Sequence, residues 1–219
     1  MFDLFTEVLP IAIAIALSPF PIIPTVLLLL TPSARANSLS FLAGWAAGIF
    51  VATWVFVVLA SVIEGFEYPP VWASWTRIVL GLLLVGFGGW QWVRRGNQKE
   101  SPAWMQSIDS MGPGGAARLG LVLSAANPKV LLLAAVGGLA IGNDYAEFAT
   151  ITLVVFLFTA VAVSTVATPV VGYLVVGERA LGPLRSAKNW LEPNSAVVRA
   201  VVIAAIGVLL VVKGASALG

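Results

Sequence analysis

The residue most able to do chemistry in this sequence is a lysine that lies inside an apolar stretch. Lys129 follows Asn127 and Pro128 near the middle of the stretch 117–141. A charged side chain at the centre of a bilayer costs at least about 2.5–3.5 kcal/mol, and such residues usually mark a site or a pathway. Every Asp and Glu lies in a loop or near the end of an apolar stretch. If this stretch crosses a membrane, its lysine predicts a binding site for an anion.

A cluster of prolines interrupts the first apolar stretch. Pro19, Pro21 and Pro24 all fall inside the stretch 8–30. A proline in a helix interior removes a backbone hydrogen bond and costs about 3 kcal/mol, so no continuous helix is expected there. Irregular backbone at membrane depth occurs where protein or a water-filled cavity satisfies its polar groups. The cluster therefore predicts a broken helix beside a cavity, and Asn127-Pro128 predicts a second break.

The two breaks supply the candidate binding residues. Backbone N–H groups at the start of a half-helix attract negative charge, and a nearby cation strengthens the effect. The expected ligand is a phosphate, sulphate or carboxylate group. Two structural alternatives remain open: a re-entrant loop that lifts the lysine to the interface, or a lysine paired with a buried acid. The predicted substrate-binding residues are Lys129, Asn127, Pro128, Ser18, Pro19, Pro21, Pro24, Thr25 and Ser124.

The composition excludes most other chemistry. The chain has 219 residues, with no cysteine and no histidine. Disulfides, thiolate and imidazole metal sites and imidazole acid–base catalysis are therefore excluded, and we expect neither an enzyme nor a cofactor or metal. Only 10% of the residues are charged and 59% are hydrophobic, whereas soluble proteins carry about 25% charged residues. Lipid is expected to cover most of the surface, and the net charge of +2 gives no reason to expect nucleic acid.

Six apolar stretches are long enough to cross a bilayer, which takes roughly 20 residues. Most Lys and Arg fall on one side when alternate loops are counted, which predicts that this side is cytoplasmic and that both termini lie outside. The first stretch is expected to be a retained span rather than a cleaved signal. In the fifth stretch, Thr168-Pro169 predicts a kink or tilt. The predicted spans are 8–30, 39–62, 74–93, 117–141, 147–176 and 196–216.

The first and fourth spans share a sequence pattern. Leu17-Ser18 precedes Pro24 as Leu123-Ser124 precedes Pro128, and a run of Val and Leu follows each proline. A repeat of three spans must insert in opposite orientations, which gives the inverted architecture of many secondary transporters. The predicted fold is therefore all-α, a polytopic membrane protein with six transmembrane helices as an inverted 3+3 repeat and broken first and fourth helices. A non-repeating bundle is the alternative.

The repeat divides the chain into three parts. Residues 1–95 form the first three-helix repeat and 116–219 the second. Between them, 96–115 is a cytoplasmic linker in which Trp104, Met105 and Ile108 predict a short interfacial helix with an apolar face. A plain loop with a few apolar residues explains the same pattern equally well.

A longer motif begins in the linker and runs into the fourth span. Its residues are Pro102-Ala103-Trp104-Met105, Ile108-Asp109, Pro113, Ala116, Leu119-Gly120, Ser124 and Asn127-Pro128-Lys129. The order of these residues resembles that of the glycopeptidolipid- and sulfolipid-1-addressing proteins (the GAP family) of mycobacteria and relatives, within the lysine exporter (LysE) superfamily. Val130 departs from the pattern of many relatives, which have Asn after Asn-Pro-Lys. The resemblance implies a six-span exporter in a bacterial plasma membrane that helps to move lipids or glycolipids toward the cell surface.

The expected function is therefore export or flipping of an anionic lipid or glycolipid. One alternative is an exporter of small solutes such as amino acids, with the same site binding a carboxylate. Another is an accessory protein that scaffolds a lipid export complex without carrying substrate. A lateral opening would favour the lipid, and a closed pocket would favour the solute. The expected partners are the anionic lipid, surrounding membrane lipids and lipid synthesis or export proteins, and a homodimer is left open.

Overall fold

The computed structural model describes residues 2–18, 20–63, 107–142 and 147–180, with a few isolated positions beyond them. Over these residues the chain forms seven α-helices and two short 3-10 helices, without a β-strand. The spans predicted at 74–93 and 196–216 lie outside the described ranges. The helices are α1 (Phe2–Ala16), α2 (Ile22–Leu29), α3 (Ala34–Ile63), α4 (Pro113–Ala125), α5 (Pro128–Gly142), α6 (Phe148–Ala162) and α7 (Ser164–Val176), and the 3-10 helices are Ile108–Ser110 and Gly177–Ala180.

Within the described residues, α3 is the one helix that is long and apolar enough to cross a membrane by itself. Its candidate span, Ala34–Ser61, has a mean hydropathy of 2.1. Two bent pairs meet the same criteria when each is taken as a single span: α4 with α5, and α6 with α7. These apolar helices are those of a membrane protein, with one clear span and up to three in the described part. The count of six, the inverted repeat and the orientation of the termini stay predictions.

Both breaks predicted from the prolines are present. In the first span, α1 ends at Ala16 and α2 begins at Ile22, with Pro21 at the start of the new helix. In the fourth, α4 ends at Ala125 and α5 begins at Pro128, and the two helices are bent by 67°. Proline is well suited to the first position of a helix, where its missing N–H has no helical partner to lose. The prolines thus end one half-helix and start the next.

The fifth span breaks earlier than predicted. The bend of 66° falls at Val163, between α6 and α7, whereas Pro169 lies buried inside α7. The expected kink at Thr168-Pro169 is therefore wrong in position. A proline ring crowds the carbonyl four residues before it, so its strain falls on the N-terminal side of the proline. The chain adjusts at Val163, where the N–H groups of 166 and 167 both turn back to the Val163 carbonyl.

Small residues bring α3 into backbone contact with α4. A Cβ added to Gly44 would overlap with the Ala117 carbonyl, and one added to Gly120 would lie 2.8 Å from the Trp45 nitrogen. Without a hydrophobic force between helices in lipid, the van der Waals packing that such close approach allows is one of the sources of helix association. We call this contact, together with its continuation onto α5, the glycine seam.

The glycine seam continues along the second half of α3. A Cβ on Gly138 would lie 2.5 Å from the Thr53 carbonyl, and one on Gly142 would lie 2.5 Å from the Ala60 Cβ. The contacts advance along both chains together, so α4 and then α5 follow α3 in the same direction. This is the relation that six alternating spans predict for the second and fourth.

The remaining helices pack around this seam. The buried face of α1 lies against α5 and α6, while α2 contacts α3 and α7. Ile108 is also part of this core, at 2% exposed, in a 3-10 turn. Ile108 thus packs into the protein, and Trp104 and Met105 lie outside the described residues, so the predicted interfacial helix stays a prediction. The shared core includes Leu4, Val8, Ile15, Leu28, Trp45, Ile49, Ile108, Val130, Leu133, Val154, Phe158 and Val166.

Candidate functional site

Lys129 lies in the first turn of α5, at the break of the fourth span, and is only 3% exposed. Its depth follows from the glycine seam. Ser124, just before the break, lies against Gly48, which is near the middle of α3. The 30 residues of α3 extend about 45 Å, so the lysine lies far from both ends of that helix. Because α5 then continues toward the far end of α3, the pair has the course expected of a broken span.

The start of α5 is capped by its own residues. The Asn127 side-chain oxygen accepts a hydrogen bond of 3.0 Å from the Lys129 backbone N–H, which is the arrangement of a helix N-cap. Pro128 has no N–H to offer, and the Leu131 N–H bonds to the Asn127 carbonyl at 2.9 Å. Fewer backbone donors are therefore open to a ligand than the sequence predicted. The lysine ammonium and the Asn127 amide nitrogen are the polar groups that this turn offers to an anion.

The first break holds a second group of predicted residues. Ser18 is 1% exposed, and its hydroxyl has no hydrogen-bond partner among the described residues. Thr25 is also buried, but its hydroxyl donates to the Pro21 carbonyl at 2.7 Å. Pro24 is buried beside it, and Pro19 lies outside the described residues. Of the hydroxyls predicted here, the one on Ser18 is left to meet a ligand.

Ser124 belongs to the glycine seam rather than to an open space. Its hydroxyl donates to the Gly120 and Leu121 carbonyls, each at 3.0 Å, and it fills the gap beside Gly48. The predicted residues therefore form two groups, one in the first turn of α5 and one at the first break. Packing of α1 against α5 brings the two elements side by side.

Sequence reasoning missed a residue that joins two breaks. The Thr165 hydroxyl, in the first turn of α7, donates to the Ala16 carbonyl at the end of α1, over 2.7 Å. It also missed Trp45 and Thr53, whose buried side-chain polar atoms have no hydrogen-bond partner within the described part of the chain. Ser164-Thr165 inside an apolar run is the kind of polar pair that often starts a helix, and it was the available signal.

An open apolar groove lies on the outer side of α3 and α6. Its volume is about 510 Å³. Phe50 stacks on Trp54, and Trp54 meets Phe148 edge to face with ring centroids 5.8 Å apart. The one hydroxyl in the lining, on Thr152, donates to the Phe148 carbonyl at 2.7 Å, so the groove presents hydrocarbon to its surroundings. Its lining residues are Phe50, Phe148, Ala149, Thr152, Leu153 and Phe156.

A segment of the linker packs against the start of α3. The Asn37 amide nitrogen, near the start of α3, donates to the Met111 carbonyl at 2.9 Å and to the Thr31 hydroxyl at 3.2 Å. Together with the buried Ile108 this contact holds 107–111 against the bundle. We call residues 107–111 the linker strap.

Comparison with known proteins assigns this arrangement to a family. The family model described as Sap, sulfolipid-1-addressing protein (SfLAP) matches residues 8–216. No curated protein and no solved structure matches the chain. The match covers both proline-broken spans and the Asn127-Pro128-Lys129 turn, and it agrees with the resemblance seen in the sequence. The chain therefore belongs to the sulfolipid-1-addressing protein family.

Proposed function

We propose that this protein moves an anionic lipid or glycolipid across the plasma membrane toward the cell surface, with the head group bound at Lys129. The observation that carries the proposal is a buried cation at the break of a membrane span, near the middle of α3. Ionisable residues inside a membrane are costly and are found mainly on substrate and ion pathways. A phosphate or sulphate head group is the matching charge for such a lysine.

The groove between α3 and α6 favours a lipid over a small solute. It is open to the side of the bundle and lined by aromatic and aliphatic side chains, with its hydroxyl already bonded to backbone. Hydrocarbon is the medium that surrounds a membrane helix at this depth. An acyl chain can therefore stay in lipid or in the groove while the head group enters the protein. The groove therefore supports a lipid substrate over a small solute.

The test is lipid translocation by purified protein in liposomes. Fluorescent phosphatidylglycerol in the inner leaflet becomes accessible to an impermeant reductant only when it crosses, and fluorescent phosphatidylcholine reports charge selectivity. We expect the protein to move the anionic lipid, and Lys129→Gln to lower the rate by about tenfold or more, the size of effect found for groups that hold a charged substrate. Lys129→Arg, which keeps the charge, should retain part of the activity. Arg118→Gln, at an exposed position on α4, is the matched control for loss of a positive charge.

A second experiment separates the carrier from an accessory role. In cells that lack the gene, surface glycolipid is measured after complementation with each variant. Restoration by Lys129→Gln, together with loss of export when the linker strap is altered, would contradict the carrier and favour a scaffold. Efflux of labelled amino acids that depends on Lys129, without movement of lipid, would instead favour the small-solute exporter.

A further inference from the structure

We propose that Thr165 is a positioning residue that ties the break of the first span to the break of the fifth, so that the two move as one unit. The contact is a hydrogen bond of 2.7 Å from the Thr165 hydroxyl to the Ala16 carbonyl, between residues 149 positions apart in the chain. It links the last residue of α1 to the first turn of α7. Both helices end or begin at this point, so the bond joins two hinges.

The direction of the Thr165 hydroxyl is unusual for this protein. A helical threonine normally donates to the carbonyl four residues earlier, and four threonines here do so: Thr25, Thr152, Thr159 and Thr168. For Thr165 the carbonyl four residues earlier is that of Val161, on the other side of the bend at Val163. The Thr165 hydroxyl donates to a carbonyl of another helix instead.

The Ala16 carbonyl has no other donor in its own helix and needs the Thr165 hydroxyl as a hydrogen-bond partner. Ala16 is the last residue of α1 and is buried at 6% exposed. The N–H groups of 17 and 18 bond back to Ile13 and Ile15, after which the chain leaves the helix. A carbonyl at a helix end has no helical donor, and at membrane depth an unsatisfied backbone group is expensive. Thr165 supplies that donor to the Ala16 carbonyl. Ala16 lies two residues before Ser18, whose hydroxyl is buried.

Packing makes the coupling mechanical as well as polar. On either side of the bond, α1 lies against α6 and α2 lies against α7. The glycine seam holds α3, α4 and α5 together by backbone contact. The four half-helices α1, α2, α6 and α7 thus surround the bond, while α1 also packs on α5 and α2 on α3. We call the Thr165–Ala16 bond, with the ends of α1 and α7 that it joins, the clasp. Any effect on translocation rests on the proposed function, but the clasp itself does not.

The clasp is tested by distance measurement, which needs no substrate. The chain has no cysteine, so a pair introduced at the exposed Ile13 and Val175 carries the only spin labels. In Thr165→Val we expect the population outside the native distance to rise about threefold to tenfold, which corresponds to the loss of one hydrogen bond. Thr165→Ser should restore the native distribution. Thr168→Val removes a hydroxyl from the same helix but only a local bond, and it should leave the distribution unchanged.

Unchanged distances in Thr165→Val, or equal changes in Thr168→Val, would overturn the inference. If Thr165→Val fails to elute as a single species, Thr165→Ala and Thr165→Ser give the same comparison without the extra methyl group. In the liposome assay, the clasp predicts a lower maximal rate in Thr165→Val with an unchanged half-saturating lipid concentration. If the wild-type protein moves no lipid, the proposed function fails while the distances still decide the clasp. If distances change and the rate does not, the clasp has no role in translocation.

Discussion

The glycine seam and the three helix breaks differ in structure and in the residues that form them. In the seam, α3 meets α4 and α5 through Gly44, Gly48, Gly120, Gly138 and Gly142, where almost any added atom would overlap with a neighbour. At two of the breaks prolines interrupt the helix, and side chains at the breaks, such as those of Thr165 and Asn127, bond to backbone groups at the helix ends. The seam brings the helices into backbone contact, whereas the breaks leave backbone N–H and C=O groups without helical partners.

The difference separates a rigid part of the molecule, the seam, from the helix breaks that carry its polar groups. Tight packing of small residues stabilises helix pairs in lipid because water is not there to drive association. Broken helices concentrate polar backbone and charge, as in the binding sites of many transporters. Lys129 lies between the two parts of the seam, in the first turn of α5 and five residues after Ser124. The rigid frame therefore determines the depth at which the charge is held.

The largest effect is expected from filling the seam. Gly120→Leu would drive a side chain into the backbone of α3 at Phe41 and Trp45. Overpacking commonly costs about 1–3 kcal/mol when side chains can yield. Here backbone must move, so we expect a loss of about 3 kcal/mol or more. Unfolding in mixed detergent micelles and the yield of monodisperse protein measure it.

Gly172→Leu is the control, because a Cβ at this position in α7 meets nothing within 4 Å. It makes the same change in side-chain volume and removes the same helix-destabilising glycine. We expect nearly unchanged yield and stability. Equal tolerance of Leu at both positions would contradict the seam as the rigid part of the molecule.

A smaller and more specific effect is expected from exchanging two seam residues. A methyl group in Gly48→Ala would occupy the position of the Ser124 hydroxyl, at a cost of about 1–3 kcal/mol. Ser124→Gly empties that position, so the double variant should recover much of the loss. A double-mutant cycle measures the coupling. Gly48→Ala combined with Gly172→Ala should be additive, and additivity in the first pair would show that the contact is not formed.

The positions of the helix breaks could be predicted from the sequence better than the packing between helices could. The cluster Pro19, Pro21 and Pro24 in the first predicted span and Asn127-Pro128 in the fourth each lie at a break, whereas Pro10 lies inside α1. Pro169 gave a wrong position for the bend, because a single proline indicates strain in a helix but does not show at which neighbouring turn the helix bends. The bend at Val163 lies beside Thr165, whose bond to Ala16 is a contact between helices that the sequence alone does not reveal.

The candidate site could be predicted in part. The buried position of Lys129 followed from its place in an apolar stretch. Which hydroxyls remain available did not, because Ser18, Thr25 and Ser124 differ only in the backbone carbonyls that each can reach. The pairs Gly44 with Gly48 and Gly138 with Gly142, each four residues apart, carry the pattern of close helix contact in membranes, and they were the unread signal for the seam.

A moderate effect is expected at the start of α5. Asn127→Ala removes the cap on the Lys129 N–H, and loss of an N-cap costs about 0.5–2 kcal/mol. Asn127→Ser keeps an oxygen that can cap, and should be close to wild type in stability. If capping is the whole role of Asn127, translocation follows stability in both variants. A loss of translocation in Asn127→Ser with normal stability would instead assign the amide to the ligand.

The smallest global effect is expected where the linker strap meets α3. Asn37→Leu removes the bonds to Met111 and Thr31, but it also removes the Asn37 side-chain oxygen, which is buried without a partner among the described residues. The two effects oppose each other, because an unsatisfied buried acceptor costs about 1–3 kcal/mol. Global stability should therefore change by less than about 1 kcal/mol.

Local opening of the linker strap should respond more than global stability does. The Met111 carbonyl loses its donor from α3, so hydrogen exchange at 108–111 should be about fivefold faster in Asn37→Leu, the effect expected for one lost bond of about 1 kcal/mol. Ser110→Ala removes only an exposed hydroxyl bond within the strap and should exchange nearly as wild type. Unchanged exchange in Asn37→Leu would mean that Ile108 alone holds the strap. In that case apolar packing, rather than a polar contact between helix and linker, closes this end of the bundle.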